Sequence, residues 1–95
     1  MEFDEKGMFA ISKAGHDKGN IYVIWEQKED VFFLVDGQRK TLARPKKKNR
    51  RHVQIVKEIP EELKNLLRQS VTDETIKYIL KRYRKEKEAV KEKQG

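Results

Sequence analysis

Two runs, Ile21-Tyr22-Val23-Ile24-Trp25 and Val31-Phe32-Phe33-Leu34-Val35, are β-branched and aromatic throughout and constrain this chain more than any other feature. Side chains of this kind fit a pleated surface. Five in a row without polar alternation indicate strands buried on much of both faces. The constraint is sharp because apolar residues are scarce, at 36% of 95 residues against 41% charged, so a core must be built where they concentrate. Most lie between Met8 and Leu42. One modest core in one domain is expected, and a barrel this small buries only about 60% of its unfolded surface and calls for flanking support.

The remaining strands follow from turn chemistry. Gly7 opens Met8 to Lys13, in which Phe9 and Ile11 share a side. Next comes Ser12-Lys13-Ala14-Gly15-His16-Asp17-Lys18-Gly19, where two glycines can take positive φ and Asp17 can hydrogen-bond its own backbone two residues on. This reads as a sharp connection with Lys13, His16 and Lys18 facing outward. Gln27 to Asp30 is a polar break. Asp36-Gly37 is a hairpin signal, so Gln38 to Ala43 is expected to return antiparallel with Leu42 and Lys40 leaning inward. Arg44-Pro45 ends that strand, because proline cannot donate to a ladder. The run Lys46 to His52 is then an extended basic connection, and His52 to Val56 a fifth strand set to close the sheet against the first. Five short strands with turn signals suggest a small curled barrel over residues 1–58, with a basic loop at 44–52.

From Pro60 the apolar period changes from two to about three and a half. Pro60, Glu61 and Glu62 suit a helix start, and Leu63, Leu66 and Leu67 make one stripe of a short helix ending near Ser70. A second helix is expected to start at Thr72 as N-cap, with Val71 stapled onto Ile76 and an apolar face of Ile76, Ile79, Leu80 and Tyr83. Residues 59–95 thus form a helical extension, expected to fray from about Arg84, where apolar residues run out.

Charge is distributed unevenly. Met1 to Gly37 carries four Lys against eight Asp and Glu, a net of −4; Gln38 to His52 carries eight Lys and Arg and no acid; Val53 to Gly95 has a net of +3. The overall +7 is therefore the work of a patch in the middle of the chain, which points to a polyanionic partner. The absence of cysteine excludes a thiol nucleophile and a thiolate zinc site and fits a reducing cytoplasm. His16 and His52 lie far apart in sequence, and neither has a carboxylate and nucleophile set around it, so no catalytic residue, metal ligand or cofactor is expected. No apolar run is long enough for a membrane span, and the basic run lacks the apolar anchors of a membrane-surface helix.

The order glycine, strand, Gly15-His16-Asp17-Lys18-Gly19, apolar strand resembles the KOW motif of several ribosomal proteins and NusG-type transcription factors, over about Gly7 to Gly37. With Asp36-Gly37-Gln38-Arg39-Lys40 and Arg44-Pro45-Lys46-Lys47-Lys48 added, the chain is similar to the short bacterial KOW-domain RNA-binding proteins, which are related to large-subunit ribosomal proteins of archaea and eukaryotes. It departs at Asn20-Ile21, where many KOW motifs place a glycine. The resemblance implies an SH3-like barrel that binds RNA; the expected partner is ribosomal RNA, with ribosomal proteins as further candidates, and a monomer is expected when free. It does not cover the helices.

On this reading Lys13, His16 and Lys18 contact RNA while Gly15 and Gly19 allow the backbone to approach a sugar-phosphate chain. Arg39, Lys40, Arg44, Lys46, Lys47, Lys48, Arg50, Arg51 and His52 supply the larger electrostatic share. The competing readings are a solvated basic loop, with Arg39 merely blunting an edge strand, and an SH3-like module whose basic loop faces a transcription or translation factor. Of Trp25, Tyr22, Phe32 and Phe33, most are needed for the core, and base stacking falls to whichever one alternation leaves outside.

Overall fold

The computed structural model describes residues 7–69 and 71–94, the last six of these as helical backbone alone. The acidic opening at Glu2, Asp4 and Glu5, the expected helix end at Ser70, and Gly95 lie outside the described residues. The protein is mainly β: five antiparallel strands, β1 (Phe9–Ser12), β2 (Ile21–Lys28), β3 (Val31–Val35), β4 (Lys46–Asn49) and β5 (Val53–Val56), followed by helices α1 (Glu61–Gln69) and α2 (Asp73–Gln94). The sheet order is β4-β3-β2-β1-β5. As expected, the fifth strand pairs with the first, Phe9 opposite Val56 through Ser12 opposite Val53.

The sheet is open but strongly curled, and the chain path requires it. β4 and β5 occupy opposite edges, yet only the 3-10 turn Arg50–His52 joins them. Four residue steps span at most about 14 Å, whereas the edges of a flat five-stranded sheet stand about 19 Å apart. The curl gives the sheet an inner face of Ala10, Tyr22, Ile24, Phe32, Leu34 and Val53. On the other face Phe9, Val23 and Val35 pack against Ile59, Leu63, Ile76, Ile79, Leu80 and Tyr83, with the Phe9 and Tyr83 rings edge to face at 4.9 Å. The central runs are thus buried on both faces, and the helices supply the flanking support that so small a sheet needs.

Two expectations are corrected. The segment Gln38 to Ala43 is not a strand; the fourth strand is Lys46–Asn49, inside the run read as a connection. Asp36-Gly37 does turn the chain, but not into a hairpin. Asp36 Oδ1 accepts from the backbone N–H of Gln38 and of Lys40, both at 2.9 Å, and the chain crosses over the start of α2, where Leu42 N–H donates to Asp73 Oδ1 at 2.8 Å. The tight hairpin is instead at Glu29-Asp30, with Glu29 at φ +55°. Beyond Arg84, α2 runs helically to Gln94. Its start is as expected: Thr72 Oγ1 accepts from Thr75 N–H at 3.1 Å, and Val71 packs on the cluster that contains Ile76.

Gly37 combines a φ of +81° with close approach to α2. A Cβ there would collide with the Asp73 carbonyl oxygen and stand 2.8 Å from Lys77 N. Gly37→Ala is therefore expected to cost at least about 2 kcal/mol, from the left-handed backbone and from the displacement of α2. Urea unfolding checks it.

Candidate nucleic-acid interface

The glycine loop is built around one carboxylate. β1 and β2 bring Ser12 and Tyr22 to the base of the loop, each five residues from Asp17. The loop closes through Gly19 N–H to the Ser12 carbonyl at 2.8 Å and Ser12 N–H to the Asn20 carbonyl at 3.0 Å. Gly15 and Gly19 take φ of +87° and +92°. Asp17 turns inward: its Oδ1 accepts from Ser12 Oγ at 2.9 Å and Lys48 Nζ at 2.7 Å, and its Oδ2 from Tyr22 Oη at 2.9 Å, with Lys46 Nζ at 3.3 Å. His16, its neighbour, is exposed, so the two side chains diverge.

The register of β4 explains why a lysine reaches this carboxylate. Lys48 stands opposite Phe32 and Lys46 opposite Leu34, and directly opposed residues of an antiparallel pair share a face. Phe32 and Leu34 point into the curled sheet, so Lys48 does too. Its side chain is 9% exposed and its ammonium also donates to the Ala14 carbonyl at 2.8 Å. Lys48 is accordingly withdrawn from the residues read as RNA contacts, and Lys46 is shared with Asp17. The next residue, Lys47, faces outward opposite Phe33, its ammonium 5.7 Å from that ring.

Electrostatics follow the same geometry. Desolvation pushes the Asp17 carboxyl up, but the hydrogen bonds from Lys48, Ser12, Tyr22 and Lys46 together outweigh it and hold the group well below the usual carboxylate range. Burial, with the adjacent Asp17 charge adding to it, pushes the Tyr22 phenol up to about 12. The signs differ. A lowered carboxyl contributes stability above its unfolded value, near 4, that is lost as pH falls below it; a raised phenol contributes stability below about pH 10 that is lost as pH rises through about 12. Melting temperatures are expected to drop at both extremes, and Tyr22→Phe should flatten the decline between pH 10 and 12.

Against this anchored loop the structure brings β4 and the 3-10 turn that directly follows it. Lys13, His16 and Lys18 are exposed on the loop itself, Lys47 on β4, and Arg51 and His52 on the 3-10 turn, which the backbone bond from Lys13 N–H to the His52 carbonyl at 2.8 Å fastens to the loop. Arg50 is half-buried, its guanidinium 5.8 Å from the Phe32 ring. Arg39 is exposed beyond Gly37, and Arg44 is exposed on a turn whose N–H donates to the Thr41 carbonyl. Lys40 is half-buried, its carbonyl accepting from Asp36 and Gly37 N–H. These cations are thus carried on ordered elements rather than on a tail, with Lys47 on the face of β4 opposite to Lys48. Among the described residues no group of three or more His, Asp or Glu is placed to hold a metal ion. No described helix is long and apolar enough to cross a membrane.

Alternation leaves Trp25 outside. A bulge between Ile24 and Glu26 makes Trp25 the extra residue of β2, and its side chain is 37% exposed. It lines a groove of about 510 Å³ with Met8, Ile59, Leu67 and Val71, about 13 Å along β2 from the glycine loop. Trp25 is therefore not beside the glycine loop. Sequence reasoning missed the inward roles of Asp17 and Lys48, whose partnership spans 31 residues and leaves no local signature.

Comparison with protein-family models and with curated proteins finds no match for this chain.

Proposed function

We propose that this protein is a non-enzymatic, cytoplasmic RNA-binding protein of the KOW type, its curled sheet an SH3-like barrel, and that it associates with the ribosome through ribosomal RNA. The observation that carries the reading is the division of labour among the basic side chains. Asp17 takes up Lys48 and part of Lys46, which fixes the loop, while Lys13 and Lys18 on the loop, and Lys47 and Arg51 on the stretch bound to it, stay exposed. Blunting the exposed edge of β4 needs only Lys47. Exposed cations on the loop, and on the β4 and 3-10 stretch bound to it, offer a phosphate backbone several contacts, and exposed Gly15 and Gly19 let that backbone come close. Such contacts position RNA by shape and charge, without base readout.

The competing reading is an interaction module whose basic face meets an acidic surface of a transcription or translation factor. Pull-down from lysate with and without ribonuclease separates the two. Ribosomal RNA and ribosomal proteins are expected in the untreated sample and lost on nuclease treatment; a protein retained at full yield after digestion would favour the module instead.

A further inference from the structure

The end of the glycine loop also borders a polar cleft. There Gly19, Asn20 and Ile21 meet the turn at Asp36, Gln38 and Arg39, and α2 brings Arg84 across to complete a polar cleft of about 570 Å³. Both guanidiniums are exposed, and among the described residues neither forms an ion pair or side-chain hydrogen bond. Other cations of α2 are differently placed. Arg82 is held to α1 by Glu62 at 3.7 Å and to Glu86 at 3.9 Å, and Lys87 lies over the Tyr83 ring at 5.6 Å. Asp36, the one acid in the cleft, is engaged through Oδ1 by the backbone N–H groups of Gln38 and Lys40.

We infer that this cleft seats a phosphate of the same RNA between Arg39 and Arg84, so that α2 belongs to the RNA-binding face. The inference rests on the RNA-binding reading above and adds to it a site on an element outside the KOW resemblance. Two planar guanidiniums converging on one cleft suit a phosphodiester, which accepts bidentate hydrogen bonds. The backbone of Gly19 carries no side chain to obstruct the ribose. Lys77, Lys81 and Arg84 fall at helix spacings of four and three and are all exposed, so the cleft continues into a basic row along α2. Gly37, packed on the backbone of Asp73 and Lys77, fixes the helix against the turn that carries Arg39.

The test is a fluorescence-anisotropy titration of a short mixed-sequence RNA duplex across a range of salt concentrations. Arg39→Gln with Arg84→Gln is expected to lower affinity about tenfold and to make the log-log salt slope shallower by about 0.9, the value for one phosphate contact. Arg39→Lys with Arg84→Lys should keep the slope. Arg82→Gln removes a charge from the same helix and should change affinity less than about twofold. A glutamine pair that behaves like Arg82→Gln, or a lysine pair whose salt slope falls as far as the glutamine pair's, would overturn the inference while a steep wild-type slope keeps the RNA-binding reading intact. A wild-type protein with no salt-dependent affinity would overturn both.

Discussion

Asp17→Ala is expected to destabilise the protein by about 3 kcal/mol, lowering the melting temperature by about 15 °C for a domain of this size. The Asp17 and Lys48 side chains are only 10% and 9% exposed. Removing the carboxylate leaves the Lys48 ammonium inside the curled sheet with the Ala14 carbonyl as its remaining partner, and deprives Ser12 Oγ and Tyr22 Oη of the acceptor they share. Breaking one side of a buried pair costs more than the pair contributes, because the survivor stays desolvated. Asp17→Asn with Lys48→Met should therefore cost clearly less than the sum of the single changes, and the double-mutant cycle measures that difference. A melting temperature for Asp17→Ala within about 3 °C of wild type would contradict the assignment of Asp17 as the anchor of the loop. The same variant separates position from charge. It makes the protein one unit more positive, so bulk electrostatics alone would strengthen RNA binding, whereas loss of loop geometry weakens it.

Replacing Lys13, Lys18, Lys47 and Arg51 by glutamine is expected to reduce affinity for an RNA duplex by about two to three orders of magnitude near 0.1 M salt, with little change in stability. All four side chains are exposed, and none is part of the Asp17 network. The loss should be uniform across RNA sequences, because phosphate contacts carry no base information. Lys48 is deliberately spared. Lys48→Gln would strip Asp17 of its shortest ion pair and confound folding with binding. Retention of wild-type affinity by the fourfold variant would show that the exposed cations only solvate the loop.

Much of this arrangement was legible in the sequence where local chemistry decided it. Ile21 to Trp25 and Val31 to Val35 are strands because no other element accommodates such runs in so charged a chain. Thr72, Val71 and the stripe Ile76, Ile79, Leu80, Tyr83 describe a capped amphipathic helix without reference to anything distant. The failures lie where tertiary contacts overrode local preference. Three consecutive lysines are poor strand formers, and Lys46–Asn49 is a strand because β3 offers an open edge and Asp17 offers Lys48 a destination. Asp36-Gly37 has the residues of a tight hairpin, but the positive φ of Gly37 serves to bring the chain over α2, which the hairpin signal could not register. The real hairpin, at Glu29-Asp30, uses a residue that seldom takes positive φ, so Gln27 to Asp30 read only as a polar break and not as a tight turn. At the site, the outward lysines followed from composition, but which lysine turns inward depended on register, and a shift of one residue would have exchanged Lys47 with Lys48.

The central claim is that the face around the glycine loop binds RNA through its phosphates. Affinity of the wild-type protein for a short RNA duplex, measured against salt concentration, tests it most directly. About six phosphate contacts predict a log-log slope near −5, at roughly −0.9 per contact. Binding that is absent, or that keeps the same affinity from low to high salt, would contradict it.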